Sequence, residues 1–365
     1  MTKYDVAIIG AGVVGLCIAN ELSKYKLDVA CVEKEERVAT GASGNNSGVI
    51  HSGINLKPGS VKARFCVEGS RMMYNLCERL KVPCKKVGTV VVALNDEEAK
   101  ALQELKKRAD LNGIEGVRFL TKDEIKSIEP HVRAEQGLLS PTGGITMPKI
   151  LCKELADDAK KNGVEFIFNA KVSDIKHDKQ FKLNTGTDII DADVVINSAG
   201  LYADDIAAMV GFNKFTVQPW LGEYYVITNK RHLVNSMVYP APQFGGAGLG
   251  IHLTKSLEGH ILVGPNATKM KTKDHKFRSP ADDFYNAIAK FLPDIRIDDL
   301  EYGYSGIRAK LAGSESLLDA DFVIEEYPNN FIHLMGIESP GLTASPAIAK
   351  HVVGMLGKRI ELKAK

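Results

Sequence analysis

Apolar positions divide this chain into a strand–helix unit at its beginning, a strand-rich middle and a second strand–helix unit near its end. Tyr4-Asp5-Val6-Ala7-Ile8-Ile9 is an apolar run of strand length, Leu16, Ala19 and Leu22 then recur at helical spacing, and a second apolar strand occupies 29–32. After a stretch of small residues, Ser60 stands as an N-cap before Val61, Phe65, Met72, Leu76 and Leu80, which predict a helix. Residues 89–94 read as a buried strand. Asn95-Asp96-Glu97-Glu98 opens a helix carrying Leu102, Leu105 and Ala109 that stops at Gly113, and Thr121 with Glu124 forms a capping box for a short helix ended by Pro130. A helix over 148–163, a strand over 165–168, a strand pair at 172–178 and 180–184 forming a small sheet on the crossover, and a parallel strand running from Ala192 into the Ser198-Ala199-Gly200 turn follow.

From Phe215 the pattern is that of strands, at 223–228, 249–253 and 259–263, with one long helix after Ser279-Pro280 carrying Phe284, Ile288 and Phe291. Residues 331–335 are again an apolar strand, followed by a turn and a helix over 344–356. This order predicts an α/β protein. A Rossmann-type nucleotide-binding domain is expected from 1–85, 142–214 and 305–365, interleaved with an α+β substrate domain, built on a mostly antiparallel sheet, from 86–141 and 215–304.

The first turn carries chemistry. Gly10-Ala11-Gly12-Val13-Val14-Gly15 joins a strand to a helix, so Gly10 permits the bend, Gly12 lets the backbone approach a pyrophosphate, and Gly15 allows close helix-to-strand packing. Glu33, at the end of the second strand, is placed to accept hydrogen bonds from a ribose 2′-hydroxyl, which fits FAD or NAD and disfavours NADP. The loop 40–53 is rich in Gly, Ser and Asn, as a backbone lying against a flat or charged ligand would be.

Composition narrows the picture. With 365 residues, 44% hydrophobic and 25% charged, the chain can bury a large core, and its net charge of +2 forms no basic stripe, so nucleic acid is not an expected partner. No apolar run reaches the roughly 18 residues of a membrane helix, and the first strand begins too near Met1 to leave room for a signal peptide, so a cytoplasmic location is expected. Cys17, Cys31, Cys66, Cys77, Cys84 and Cys152 form no C-x-x-C pair and read as reduced and structural. No histidine spacing points to a metal.

Three segments, 10–15 with Glu33, 193–200 and 334–345, resemble the FAD signatures of the D-amino-acid oxidase superfamily. Within it, Asn46-Ser47-Gly48-Val49-Ile50-His51-Ser52-Gly53-Ile54, Gly264-Pro265-Asn266, Gly303-Tyr304-Ser305-Gly306-Ile307-Arg308 and Gly336-Ile337-Glu338-Ser339-Pro340-Gly341-Leu342-Thr343 resemble the L-2-hydroxyglutarate dehydrogenases, as does Gly248-Leu249-Gly250-Ile251-His252. Asn55-Leu56, Thr146 and Ala309 depart from that pattern, standing where aromatic residues, aspartate and proline are usual.

The resemblance implies FAD as cofactor, held by Gly10, Gly12, Gly15, Glu33, Lys34, Thr40, Ser43, Asn46, Ser47, Val172, Ala199, Gly200, Gly306, Arg308, Gly336, Ser339, Gly341, Leu342 and Thr343. It implies oxidation of a small 2-hydroxy acid, L-2-hydroxyglutarate to 2-oxoglutarate, with hydride transfer to the flavin and a histidine base. His252 is the favoured base and His51 a flavin-facing partner, with the reverse assignment and covalent attachment of FAD through His51 kept open. Arg308 would fork the α-carboxylate, and Tyr239, Tyr304 and Lys310 would serve the distal carboxylate or close the pocket. Glycerol 3-phosphate and amino-acid or amine substrates are the alternatives. The electron acceptor would be a quinone, another flavoprotein or oxygen; a quinone acceptor would add contact with the inner surface of a membrane.

Overall fold

A computed structural model describes the chain except Met1 and residues 244–249, 275–276 and 314–319. Its first sheet has eight strands, with Thr2–Ile9 at the centre, parallel to Val29–Val32 on one side and to Ile189–Asn197 on the other. Glu165–Ile167 adds a further parallel strand beside Val29–Val32. The run Val6–Ile9 is apolar throughout because both faces are covered: Val6 and Ile8 meet the helical layer, whereas Ala7 and Ile9 belong to a second cluster with Phe181 and Phe331.

The outer edge of Ile189–Asn197 is shared between two partners. Its first half pairs antiparallel with Phe181–Asn184, and its second half pairs parallel with Phe331–Met335. The strand pair Asp174–His177 and Phe181–Asn184, expected as a small sheet on the crossover, therefore extends the main sheet. Over the helical face, Val61–Arg79 packs on Gly341–Leu356, which packs on Val13–Leu22, which packs on Pro148–Lys161. Gly15 makes the first helix fit, since a Cβ there would lie 2.1 Å from the Gly10 carbonyl oxygen.

The second sheet has nine strands, in the order Thr268–Lys269, Val217–Ile227, Ile261–Gly264, His252–Lys255, Met237–Pro240, Thr89–Ala93, Gln136–Ser140 and Arg118–Thr121, with Glu301–Leu311 also on Val217–Ile227. It is mixed, because Met237–Pro240 lies parallel to Thr89–Ala93 while its other pairings are antiparallel. A small third sheet joins Val49–Ile50, Gly144–Thr146 and Cys84–Lys86.

Several expectations are corrected in detail. The strand placed at 249–253 is described as His252–Lys255, and Gly248 and Leu249 lie outside the described residues. The helix after Ser279-Pro280 is short, Ala281–Ile288, with Phe291 beyond its end, and the last helix begins at Gly341. Glu301–Leu311 is one unbroken strand of the second sheet, so the boundary placed at 304/305 falls inside it; that at 85/86 falls inside Cys84–Lys86. Among the described residues no helix is long and apolar enough to cross a membrane, and no cluster of His, Cys, Asp or Glu is arranged to hold a metal ion. All six cysteines are free, and all but Cys84 are buried.

His333 anchors the junction between the first sheet and the turn beyond Asn197. Its buried ring is stacked between Phe212 and Phe331, with both centroid separations 4.6 Å. The Nε2 atom donates to the Tyr327 carbonyl at 2.6 Å, which leaves Nδ1 to accept from Asn197 Nδ2 at 3.2 Å. Burial lowers its pKa to about 4 against an ordinary 6.5. Between those values the unfolded chain binds the proton and the folded chain does not, so this contribution is full above pH 6.5 and is lost as pH falls toward 4. At its limit the loss is about 3 kcal/mol. The urea midpoint is expected to fall across that window, and to fall less steeply in His333→Phe; equal slopes would place the titration elsewhere.

Candidate functional site

The carboxyl ends of the parallel strands and the inner face of the second sheet enclose a cavity of about 1570 Å³. That exceeds the range of about 300–1000 Å³ usual for one small ligand, and leaves room for a dinucleotide and a substrate together. It runs from the Gly10–Gly12 turn, past Glu33 and the 40–47 loop, to His51, His252 and Arg308 on the inner wall.

The nucleotide end is shaped by short polar bonds. Glu33 Oε2 accepts the Ala11 N–H at 2.7 Å and Oε1 accepts the Glu35 N–H at 3.0 Å, which stitches the carboxylate across the glycine turn and still leaves lone pairs for a ribose. Ser43 Oγ accepts the Val13 N–H at 2.9 Å and so satisfies one donor at the start of the first helix. Asn46 closes its own loop, accepting from Gly48 N–H and donating to the carbonyls of Ala42 and Ser43. Lys34 lies with Nζ 4.4 Å above the Tyr202 ring.

Of the residues expected to hold the cofactor, Gly10, Gly12, Glu33, Lys34, Thr40, Ser43, Asn46, Ser47, Val172, Ala199, Gly200, Gly306, Arg308, Ser339, Gly341 and Leu342 line this cavity. Gly15, Gly336 and Thr343 do not; they stand behind its wall. Gly15 serves helix packing, a Cβ at Gly336 would lie 2.7 Å from Leu311 Cγ, and Thr343 Oγ1 accepts the His51 N–H at 2.9 Å while donating to the Val49 carbonyl at 3.3 Å. A cradle with close backbone approach at one end, a ribose acceptor in Glu33 and a wall of small residues between fits a flavin dinucleotide.

At the inner wall His252 Nδ1 lies 3.0 Å from the Gly250 carbonyl, an acceptor only, so Nδ1 carries the hydrogen and Nε2 is left with its lone pair. Burial lowers its pKa to about 3; the Gly250 carbonyl opposes the shift, and positive charge on His51 and Arg308 adds to it. His51 is likewise held to about 4 by burial, and its Nε2 is 3.5 Å from Ser339 Oγ. Both rings are neutral at pH 7.

Arg308 lies over Gly222, where a Cβ would be 2.8 Å from Nη1, and donates from Nη1 to the Asn266 carbonyl at 3.1 Å and the Leu221 carbonyl at 3.5 Å. Two strand neighbours seat the wall against the cofactor loop: Tyr304 donates its hydroxyl to the Asn46 carbonyl at 2.9 Å, and a Cβ on Gly306 would lie 2.2 Å from the Asn45 carbonyl oxygen.

Two expected substrate residues are elsewhere. Tyr239 stacks behind His252, with centroids 3.9 Å apart at 14°, and does not reach the large cavity. Lys310 shares the face of Arg308 by strand alternation but is fully buried two residues further along, with Nζ 4.8 Å from the Trp220 ring. The sequence reading also missed Tyr224, stacked on Tyr304 at 4.8 Å, and the buried ion pair of Lys62 with Glu338 at 2.9 Å, all lining the cavity except Tyr304. A lysine amid the helical pattern after Ser60, and a glutamate in an otherwise small-residue turn, were the available signals.

The profile of the family described as DAO, FAD dependent oxidoreductase, matches residues 5–355. A glycerol 3-phosphate dehydrogenase of Caloramator mitchellensis is 35% identical over 99% of this chain and 76% of its own length, and an L-2-hydroxyglutarate dehydrogenase of Indibacter alkaliphilus is 33% identical over 98% of this chain and 99% of its own. The structure of dithionite-reduced L-alpha-glycerophosphate oxidase from Mycoplasma pneumoniae, with FAD bound, is 32% identical, covers 100% of this chain and 97% of that one, and superposes with a TM-score of 0.92. The chain belongs to the DAO family of FAD-dependent oxidoreductases.

Proposed function

We propose that this enzyme oxidises the CH–OH group of a small 2-hydroxy acid, with L-2-hydroxyglutarate as the first candidate and 2-oxoglutarate as its product. One observation carries the reading: a guanidinium with no acidic partner among the described residues stands on the same wall as a neutral histidine whose Nε2 is unprotonated. Arg308 receives the α-carboxylate, fixing both its position and its plane. His252 Nε2 takes the hydroxyl proton as the α-hydrogen leaves with its electron pair, while the Gly250 carbonyl stabilises the resulting imidazolium through Nδ1–H. Substrate binding prepares this base, because a carboxylate on Arg308 offsets one of the charges that depress His252. Bound FAD supplies the two-electron acceptor, from which a quinone, another flavoprotein or oxygen draws the electrons.

Glycerol 3-phosphate is the second reading, supported by relatives named for that substrate. A phosphate dianion calls for converging cations. Here Lys62 is already paired with Glu338 and Lys310 lies under Trp220, so Arg308 is the cation beside His51 and His252; Lys34, Lys171, Lys273 and Lys290 also line the cavity, with Lys34 paired to Glu35 and Lys273 to Asp204 and Asp205. Anaerobic mixing of the FAD-loaded enzyme with L-2-hydroxyglutarate, its D enantiomer, L-lactate, glycerol 3-phosphate and glycine decides between them. Bleaching of the oxidised-flavin band is expected with L-2-hydroxyglutarate. Bleaching by glycerol 3-phosphate or glycine alone would overturn the hydroxy-acid assignment.

A further inference from the structure

Behind Arg308 lies a polar network in which Glu223 and Ser279 are buried and Asn266 reaches the cavity. Asn266, whose carbonyl holds Arg308, is fixed at both ends of its side-chain amide. Its Oδ1 accepts the Glu223 N–H at 2.8 Å, and its Nδ2 donates to Glu223 Oε2 at 3.1 Å and to Ser279 Oγ at 2.8 Å. The Glu223 carboxylate also receives the Ser279 N–H, at 3.0 Å on one oxygen and 3.2 Å on the other, and the Ser279 hydroxyl. Glu223 is fully buried and makes no ion pair among the described residues. A buried carboxylate is costly to keep, and several fixed donors are the condition for keeping it.

We propose that Glu223, acting through Asn266, is a positioning residue that sets the Arg308 guanidinium for an anionic ligand. A carboxylate in direct contact with Arg308 would occupy the fork, and an incoming anion would have to displace it. Interposing Asn266 avoids this. The neutral carbonyls of Asn266 and Leu221 hold Nη1, Nε and Nη2 make no hydrogen bond among the described residues, and the acidic side chain that anchors the Asn266 amide stays one residue away. The cavity wall over this network is bare because Gly222, next to Glu223, carries no side chain to block the guanidinium.

This inference rests on Arg308 being the anion site, and a double-mutant cycle separates the two. With the FAD-loaded enzyme and 2-oxoglutarate as probe, read from the perturbation of flavin absorbance, Glu223→Gln is expected to weaken binding about tenfold. Glutamine keeps the size but sets an amide donor against donors. In an Arg308→Ala background the same change is expected to have no further effect, because nothing remains to be positioned; a merely structural role would weaken both backgrounds alike. Ser279→Ala, which removes one donor to Glu223 and keeps the backbone, is expected to weaken binding about threefold and covers the case in which Glu223→Gln does not fold. Wild-type affinity in both variants, or equal losses in both backgrounds, would overturn the positioning role. Undiminished affinity in Arg308→Ala alone would instead overturn the anion-site reading.

Discussion

Arg308→Ala is expected to lower kcat/KM for the hydroxy acid by about 100- to 1000-fold, the effect of removing a charge-assisted, two-pronged contact of about 3–4 kcal/mol from a partly buried site. The structure gives three reasons for so large a loss. The guanidinium lines the cavity, it has no acidic partner among the described residues, and two carbonyls orient it. Arg308→Lys is expected to recover little, since an ammonium offers a point charge where a plane is needed, and its shorter reach leaves the Leu221 and Asn266 carbonyls without their donor. The loss should fall mainly in KM if the carboxylate is held equally in ground and transition states, and in kcat as well if the grip tightens as the reaction proceeds. Steady-state kinetics separate these. A variant within threefold of wild type would remove Arg308 from substrate recognition.

His252→Asn is expected to slow flavin reduction by about 100- to 10000-fold, the usual contribution of a positioned base, while binding of the 2-oxo acid product changes by only a few fold. Its pH signature follows from the sign of the shift. Burial and the neighbouring positive charges hold His252 well below 6.5, to about 3 without ligand, so the active, unprotonated form persists into acid. Activity attributable to this base is present above its pKa and lost as pH falls through it, on the acid side of 6.5. A carboxylate on Arg308 moves that limb upward from about 3. His252→Asn should lose the limb along with the rate. Stopped-flow reduction across pH 4 to 8 tests both; a larger fall in His51→Asn than in His252→Asn would transfer the role of base to His51.

The parts of this picture that were legible in the sequence are those fixed by local chemistry. Gly10, Gly12 and Glu33 could be read because a dinucleotide turn demands those residue types at that spacing, and Ser60, Asn95 and Thr121 because a helix start needs a side-chain acceptor; Ser60, Asn95 and Thr121 accept the N–H groups of Ala63, Glu98 and Glu124. What could not be read depends on strands meeting across long separations. Nothing local to Arg308 and Lys310 says that one reaches the cavity and the other ends under Trp220, because alternation places them on the same face. The continuity of Glu301–Leu311 was hidden by its glycines and polar residues, which pack against Val217–Ile227 through a bulge at Tyr224 and Tyr225. Glu223 and Asn266 lie 43 residues apart and gain meaning only once their bonds are visible.

The contact between Gly306 and Asn45 bears on how such a site can discriminate at all. Where main chain rests on main chain, there is no rotamer to turn aside and no hinge between the two surfaces, so the width of the chamber at that seam is a property of the backbone path. On the proposed reading, an acid that is too broad would meet a fixed gauge at that seam, not a jaw that fails to shut. Changing the preferred substrate would then mean altering the side chains that face the chamber, because the seam itself offers nothing to loosen.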